Sequence, residues 1–254
     1  MERLHKLRND VQNRNTKAWG KIVEYVEYVR ENKLDEFSPR EYLGDELFAQ
    51  IHTLPESISK LKYVKKIWLY GSMLYRVPPE IGEMESLEYF DPYTSYKLRW
   101  FPYEITKCHL LKDSRISTRA LFGNYKNRMG FPALHNNPVR YEGDILKCSI
   151  CEKEMSYADT NQLWITLKVA TDIVPLLVNS CSSTCEQRLP EPPKLDIPIA
   201  HKGGSGLVQP NVDELAYYKA MSKPINLDKV QNEAGSANNE GSNLLQLIRK
   251  IWEK

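Results

Sequence analysis

Apolar positions between Leu54 and Asn124 recur as a block. Leu54-Pro55-Glu56-Ser57-Ile58 is echoed by Val77-Pro78-Pro79-Glu80-Ile81 and again by Phe101-Pro102-Tyr103-Glu104-Ile105. This puts the closing isoleucines at 58, 81 and 105, steps of 23 and 24. Three residues past each isoleucine stand Leu61, Met84 and Cys108; six past, Val64, Leu87 and Leu111; nine past, Ile67, Phe90 and Ser114. A period in the twenties with apolar residues at fixed offsets marks a solenoid, in which no unit buries its apolar face alone. The segments at the later offsets read as short parallel strands: Lys66 to Tyr70, Tyr89 to Tyr93 and Asp113 to Ser117. Side chains alternate across a strand. Ile67 and Leu69 therefore point inward, while Lys66, Trp68, Tyr70, Tyr89, Asp91, Tyr93, Asp113 and Arg115 point out.

Upstream, the spacing changes to that of a helix. Ala18, Trp19, Ile22, Val23, Val26 and Val29 share one face of a segment from Thr16 to about Arg30, the pattern expected of a cap over the open end of stacked units. Ser38-Pro39-Arg40-Glu41 predicts a second helix, with Ser38 as N-cap, Pro39 at the first helical position and Glu41 completing a capping box. Downstream, Leu163, Ile165, Leu167 and Val169 alternate with Trp164, Thr166 and Lys168, and an apolar run from Ile173 to Val178 follows. Together they predict a hairpin. The last apolar stripe, Leu244, Leu247, Ile248 and Ile251, predicts a terminal amphipathic helix beyond a Gly-, Asn- and Ser-rich stretch that reads as disordered.

The repeated blocks resemble leucine-rich repeats of the intracellular LPxxI…LxxL type, found in Ras-suppressor-like proteins and in plant disease-resistance proteins. The resemblance implies a protein partner bound on the concave strand face, where the eight outward residues from Lys66 to Arg115 named above lie. It also exposes departures. Where the family pattern carries a loop-satisfying asparagine, this chain has Ser72, Ser95 and Arg119. Serine supplies part of that hydrogen bonding and arginine does not, and Pro92 removes a ladder donor. The third repeat is therefore expected to be the least regular.

Cysteine spacing adds the clearest chemistry. Cys148-Ser149-Ile150-Cys151 and Cys181-Ser182-Ser183-Thr184-Cys185 place two pairs on either side of the predicted hairpin. Such pairs are suited to holding one tetrahedral zinc ion as thiolates. Four cysteines fill the coordination sphere, which predicts a structural Zn2+ rather than a catalytic one. The second pair resembles the start of the closing helix in treble-clef fingers, and the whole combination resembles bacterial leucine-rich repeat proteins that carry a zinc knuckle after the last repeat. Cys108, at a repeat core position, reads as a buried small hydrophobe.

Composition narrows the class. The 254 residues carry a net charge of +2 and are 41% hydrophobic, enough for a sizeable core without a charge field that argues for nucleic acid or membrane. No run approaches the roughly 18 apolar residues of a membrane helix, the first residues lack a secretory apolar run, and free cysteines suit a reducing compartment. A cytoplasmic location is expected. The expected fold is α/β: residues 1–50 a helical cap, 51–124 a short leucine-rich repeat solenoid, 125–140 a connector, 141–200 a small zinc-finger module and 201–254 a flexible tail. No nucleotide-binding loop, HExxH motif or nucleophile constellation is visible, so the expected function is non-enzymatic recognition of a protein. Two alternatives belong to other classes. A zinc-dependent nucleic-acid binder would need a basic surface, which residues 148–189 do not offer, and a ubiquitin-ligase-like effector would need a spare reactive cysteine.

Overall fold

A computed structural model describes residues 9–123, 130–132, 134, 139–192 and 202–203. The chain divides into two units, Met1–Leu215 and Ala216–Lys254, and every described residue lies in the first. The predicted terminal helix, and the tail apart from residues 202–203, lie outside the described residues. The described fold is mixed α/β, with one parallel sheet, one sheet that is largely antiparallel and a two-stranded antiparallel sheet.

Helix α1 spans Lys17–Glu31 and buries Ala18, Trp19, Ile22, Tyr25, Val26 and Val29. It starts where Thr16, in extended backbone, accepts the Trp19 N–H on its hydroxyl at 3.2 Å. Two short helices follow β1 (Glu36–Phe37): α2 (Pro39–Leu43) and α3 (Asp45–Phe48), separated by Gly44 at φ 74°. The predicted capping box at Ser38 does not form, because the Ser38 side chain makes no cap hydrogen bond. Its backbone N–H instead donates to the buried Tyr25 hydroxyl at 3.1 Å, which fastens the turn to α1.

Strands β2 (Lys66–Trp68), β3 (Tyr89–Asp91) and β5 (Asp113–Ser114) run parallel to β1, in the order β1-β2-β3-β5. Their register aligns Lys66 with Tyr89 and Tyr89 with Asp113, steps of one period. Behind them stack three 3-10 turns, Glu56–Lys60, Pro79–Glu83 and Tyr103–Lys107. Each is entered through a proline in extended conformation, Pro55, Pro78 and Pro102, whose fixed φ sets the approach. The isoleucines 58, 81 and 105, with Leu61, Met84, Cys108, Ile67 and Phe90, are buried in one core. The Cys108 thiol donates to the Ile81 carbonyl at 3.2 Å, and burial pushes its pKa up to about 12, as befits an inert core residue.

The loops after the strands are held by hydroxyls. Ser95 Oγ accepts the Ser72 N–H at 3.1 Å, lies 2.7 Å from Ser72 Oγ and donates to the Leu69 carbonyl at 3.0 Å. In the next unit Ser117 Oγ accepts the Thr94 N–H at 2.8 Å, while Arg119 is exposed.

The second half is built on a long hairpin, β8 (Asn161–Val169) and β9 (Asp172–Ser180). Strand β4 (Phe101–Pro102) joins β9 in parallel, and β10 (Lys202–Gly203) joins β8 antiparallel. Residues 202–203 are therefore paired, where the sequence reads as a flexible spacer. The hairpin is buried on both faces. Leu163, Ile165, Val174, Leu176 and Val178 enter the core shared with the repeated turns, while Trp164 and Leu177 form a second core with Trp100, Phe122, Phe131, Leu134 and Val139. Trp164 and Thr166, which alternate with Leu163, Ile165 and Leu167, are themselves fully buried. The described residues of the 125–140 connector are packing elements, because Trp164 needs apolar cover and finds its N–H acceptor on Pro132 O at 2.8 Å.

Candidate metal centre

The four cysteines come together from two knuckles. Strands β6 (Ile145–Lys147) and β7 (Glu154–Ser156) pair antiparallel, and Cys148 and Cys151 sit in the turn between them. That turn closes when the Glu152 N–H bonds the Cys148 carbonyl at 2.9 Å, with Glu152 in the left-handed region at φ 63°. Cys181 follows the end of β9, and Cys185 lies in the short helix α4 (Ser183–Gln187), whose cap, Ser182 Oγ, accepts the Cys185 N–H at 3.3 Å. The sulfurs all lie within 4.8 Å of one another; Cys151 and Cys181 are 3.6 Å apart and Cys181 and Cys185 3.7 Å. Metal–thiolate bonds of ~2.3 Å in a tetrahedron separate the ligand sulfurs by about 3.8 Å. The donor set therefore fits one metal ion.

Electrostatics point the same way. Burial disfavours the Cys148 thiolate, but N–H groups of Cys151, Ile150 and Cys181 aimed at its sulfur outweigh that and lower its pKa to about 7. Cys185 goes the other way. The Ser182 hydroxyl lowers its pKa, but burial and the neighbouring sulfurs raise it to about 11. Four thiolates at this spacing repel one another unless a cation compensates them. Leu146, Met155 and Tyr157 pack around Cys148 and Cys185 and keep the inner side of the cluster dry.

A buried polar chain ties the first knuckle to the rest of the fold. Ser149 Oγ donates to Glu104 Oε1 at 2.6 Å and accepts the Asn179 N–H at 2.9 Å. Asn179 Oδ1 accepts from Gln162 Nε2 at 2.7 Å, and Gln162 in turn holds both backbone groups of Val139. Glu104 is buried, and that burial raises its pKa to about 7 against the Ser149 hydrogen bond. Arg76, 1% exposed, donates to the carbonyls of Arg140 and Asn9, joining three distant stretches of chain. None of these residues stood out in the sequence. The usable signal was that Glu80 and Glu104 hold the same offset, one residue before an isoleucine, in neighbouring blocks.

On the parallel sheet, the residues expected to face outward divide into two groups. Lys66, Tyr70, Tyr93, Asp113 and Arg115 are exposed, with the Tyr70 and Tyr93 rings 6.0 Å apart and the Arg115 guanidinium 4.5 Å from the Tyr93 ring. Trp68 and Tyr89 are half-buried against each other at 5.0 Å, and Trp68 Nε1 donates to Glu36 at 3.0 Å. Asp91 departs from the expectation, being 2% exposed. Its carboxylate accepts the Tyr93 N–H at 2.9 Å and the Tyr89 hydroxyl at 3.3 Å, under Arg115 at 3.8 Å. It lies on the outward side of the strand, but its neighbours close over it, so it positions the face and is not offered to solvent. Among the described residues no helix is long and apolar enough to cross a membrane. No known protein family and no curated protein matches this chain.

Proposed function

We propose that the chain is a non-enzymatic recognition protein. On this reading residues 51–124 form a short solenoid of leucine-rich repeat type, its strand face binds a protein partner, and the four cysteines hold a structural zinc ion. The observation that carries the partner site is the pair of exposed tyrosines, Tyr70 at 46% and Tyr93 at 37%, ranked beside the exposed Arg115 on one parallel sheet. Tyr and Arg are enriched at binding hot spots, and exposed aromatic area on a rigid sheet is available at low ordering cost. Parallel strands in period register and stacked 3-10 turns support the repeat reading. Thiolate donors at this spacing support zinc, and a reducing cytoplasm suits unbridged thiols.

The test is a photo-crosslinking amino acid at position 70 of the full chain, with capture in the native host. One discrete protein should be captured, and Tyr93→Ala and Arg115→Ala should each weaken its binding by ~2 kcal/mol or more at unchanged thermal midpoint. Retention of that protein by both variants removes the sheet face as the partner site.

A further inference from the structure

The two edges of the parallel sheet carry different charge patterns. The chain entering the strands, residues 60–66, 83–89 and 107–113, alternates in sign from unit to unit: lysines in the first segment, glutamates in the second, lysines with Asp113 in the third. These charges pair across units, Lys62 with Glu83 at 3.7 Å and with Glu85 at 3.3 Å, and Lys112 with Glu88. The chain leaving the strands, residues 69–76, 92–100 and 115–123, contains no acidic residue and does contain Lys97, Arg99, Arg115 and Arg119. Asp91, which precedes the second of these segments, is buried and lies 3.8 Å from the Arg115 guanidinium. One edge neutralises itself, and the other keeps an excess of cations.

Apolar surface is exposed at the same cationic edge. Tyr70 and Tyr93 are 23 residues apart, and so are Met73, 38% exposed, and Tyr96, 63% exposed. Repetition therefore presents an equivalent pair of side chains twice. Arginines bracket the two strand-end tyrosines. On one side Arg40 Nε donates to Asp45 at 2.7 Å, and its Nη1 lies 3.5 Å from where a Cβ on Gly71, the residue after Tyr70, would stand. On the other side the Arg115 guanidinium stands 4.5 Å from the Tyr93 ring. At 3.8 Å its contact with Asp91 is beyond hydrogen-bond reach, and among the described residues its N–H donors make no hydrogen bond.

Sign and spacing define what complements this track. Arg40 belongs to the unit of β1 and Arg115 to that of β5, three inter-strand steps apart, or ~14 Å at ~4.8 Å per step. A peptide crossing the strands in extended form advances ~3.3 Å per residue and alternates its side chains. Residues i and i+4 then reach the two arginines, and residue i+2 faces the tyrosines between them. A guanidinium binds a carboxylate through paired N–H donors, and a tyrosine ring offers apolar area with a polar tip. A nucleic acid matches less well, because its charges form a continuous run of phosphates, whereas here two cations are separated by neutral rings.

We propose that this edge binds an extended acidic segment of the protein partner, with the carboxylates of residues i and i+4 on Arg40 and Arg115 and an apolar side chain at i+2 between Tyr70 and Tyr93. This rests on the reading of the strand face as the partner site and names the chemistry of what binds there. The experiment titrates ¹⁵N-labelled full-length protein with acetyl-Gly-Asp-Ser-Phe-Ser-Asp-Gly-amide, with the same peptide carrying Asn in place of both Asp, and with oligouridylate.

The acidic peptide should shift the Tyr70 and Tyr93 backbone amides saturably, and the Asn peptide should bind ~10-fold or more weakly, because it keeps the shape and loses the charge. Arg40→Gln and Arg115→Gln should each weaken the acidic peptide by ~10-fold. Lys66→Gln, on the opposite edge where Glu36 already pairs with the lysine at 2.8 Å, should leave it unchanged. The proposal is overturned if the acidic peptide gives no saturable shift, if the Asn peptide binds as well, if both arginine variants fold and bind unchanged, or if oligouridylate shifts the same amides at lower concentration. Should Arg115→Gln fail to fold for want of cover over Asp91, undiminished binding to Arg40→Gln overturns it instead. A protein captured through position 70 while the acidic peptide stays silent removes this proposal and leaves the partner site standing; no capture together with a silent peptide removes both.

Discussion

In the parallel half, loop backbone after β2 and after β3 is bonded by neutral hydroxyls, each reaching one period along the chain: Ser72 to Ser95 and Thr94 to Ser117 are both 23 residues apart. In the cysteine half, the groups that fix the fold are ionisable, and they come from far-separated stretches: Cys151 with Cys181, and Ser149 with Glu104 across 45 residues. The first arrangement spreads stability over equivalent contacts, so one loss is local. The second concentrates it. Thiolates and a buried carboxyl are stabilised only while their compensating partners are in place, so one loss is felt by all.

The sharpest test of this contrast is removal of the metal. Structural zinc sites contribute on the order of 10 kcal/mol to folding, more than any single hydroxyl can. We expect one zinc per chain after purification under reducing conditions. Chelation, or Cys148→Ser, should raise hydrogen exchange across residues 145–156 and 181–189 by orders of magnitude while β2 and β3 stay protected. Unchanged protection around the cysteines would mean that the shared apolar core, and not the metal, carries this half.

A smaller effect is expected from Ser95→Ala. It removes the partner of the buried Ser72 hydroxyl, and one of two partners each of the Ser72 N–H and the Leu69 carbonyl, which stay bonded to each other at 3.1 Å. A buried polar group left unpaired costs about 1–3 kcal/mol. The urea midpoint should fall accordingly, and the zinc content should stay the same. Loss of zinc from this variant would show that the halves are coupled and that the contrast is false.

What was legible in the sequence follows the same division. Ile58, Ile81 and Ile105 announce themselves because every unit repeats the same burial, and the cysteines because two short spacings suffice to form a knuckle. Ser117 illustrates the limit of alignment by offset, since it holds the Thr94 N–H from a position that the repeat alignment did not single out. Trp164 illustrates another limit. Alternation along β8 predicts a strand but not what covers each side of it, and β8 is buried on both sides, Trp164 by residues as distant in sequence as Trp100. Asp91 shows a third limit, since strand alternation does not register that Tyr89 and Arg115 close over it and leave it buried. Of the Glu104–Ser149–Asn179–Gln162 chain, Glu104 lies in a repeated block and Ser149 in a cysteine pair, but their connection left no trace, because the four members share no common period or motif.

Glu104 lies where the two halves meet, and it gives the smallest predicted effect and the most selective one. Its pKa is raised by burial from an ordinary 4.5 to about 7. Below pH 4.5 the carboxyl is protonated in both the folded and the unfolded chain. Between 4.5 and about 7 the folded state holds a proton that the unfolded state has released. The contribution of this group is therefore fully present at low pH and is lost as pH rises through about 7. Glu104→Gln keeps an acceptor for the Ser149 hydroxyl and removes the titration. Relative to the natural chain it should be near neutral at pH 5 and more stable by ~1–2 kcal/mol at pH 8, read from urea midpoints at the two values. Glu80 and Asp172, whose pKa values burial also raises, and exposed carboxylates such as Glu36 and Asp45, lowered by hydrogen bonds from Lys66 and Arg40, are present in both proteins. They cancel in the difference, which isolates Glu104. An equal stability difference at pH 5 and pH 8 would mean that Glu104 is ionised in the folded state throughout, and the junction would then hold a compensated charge rather than a neutral acid.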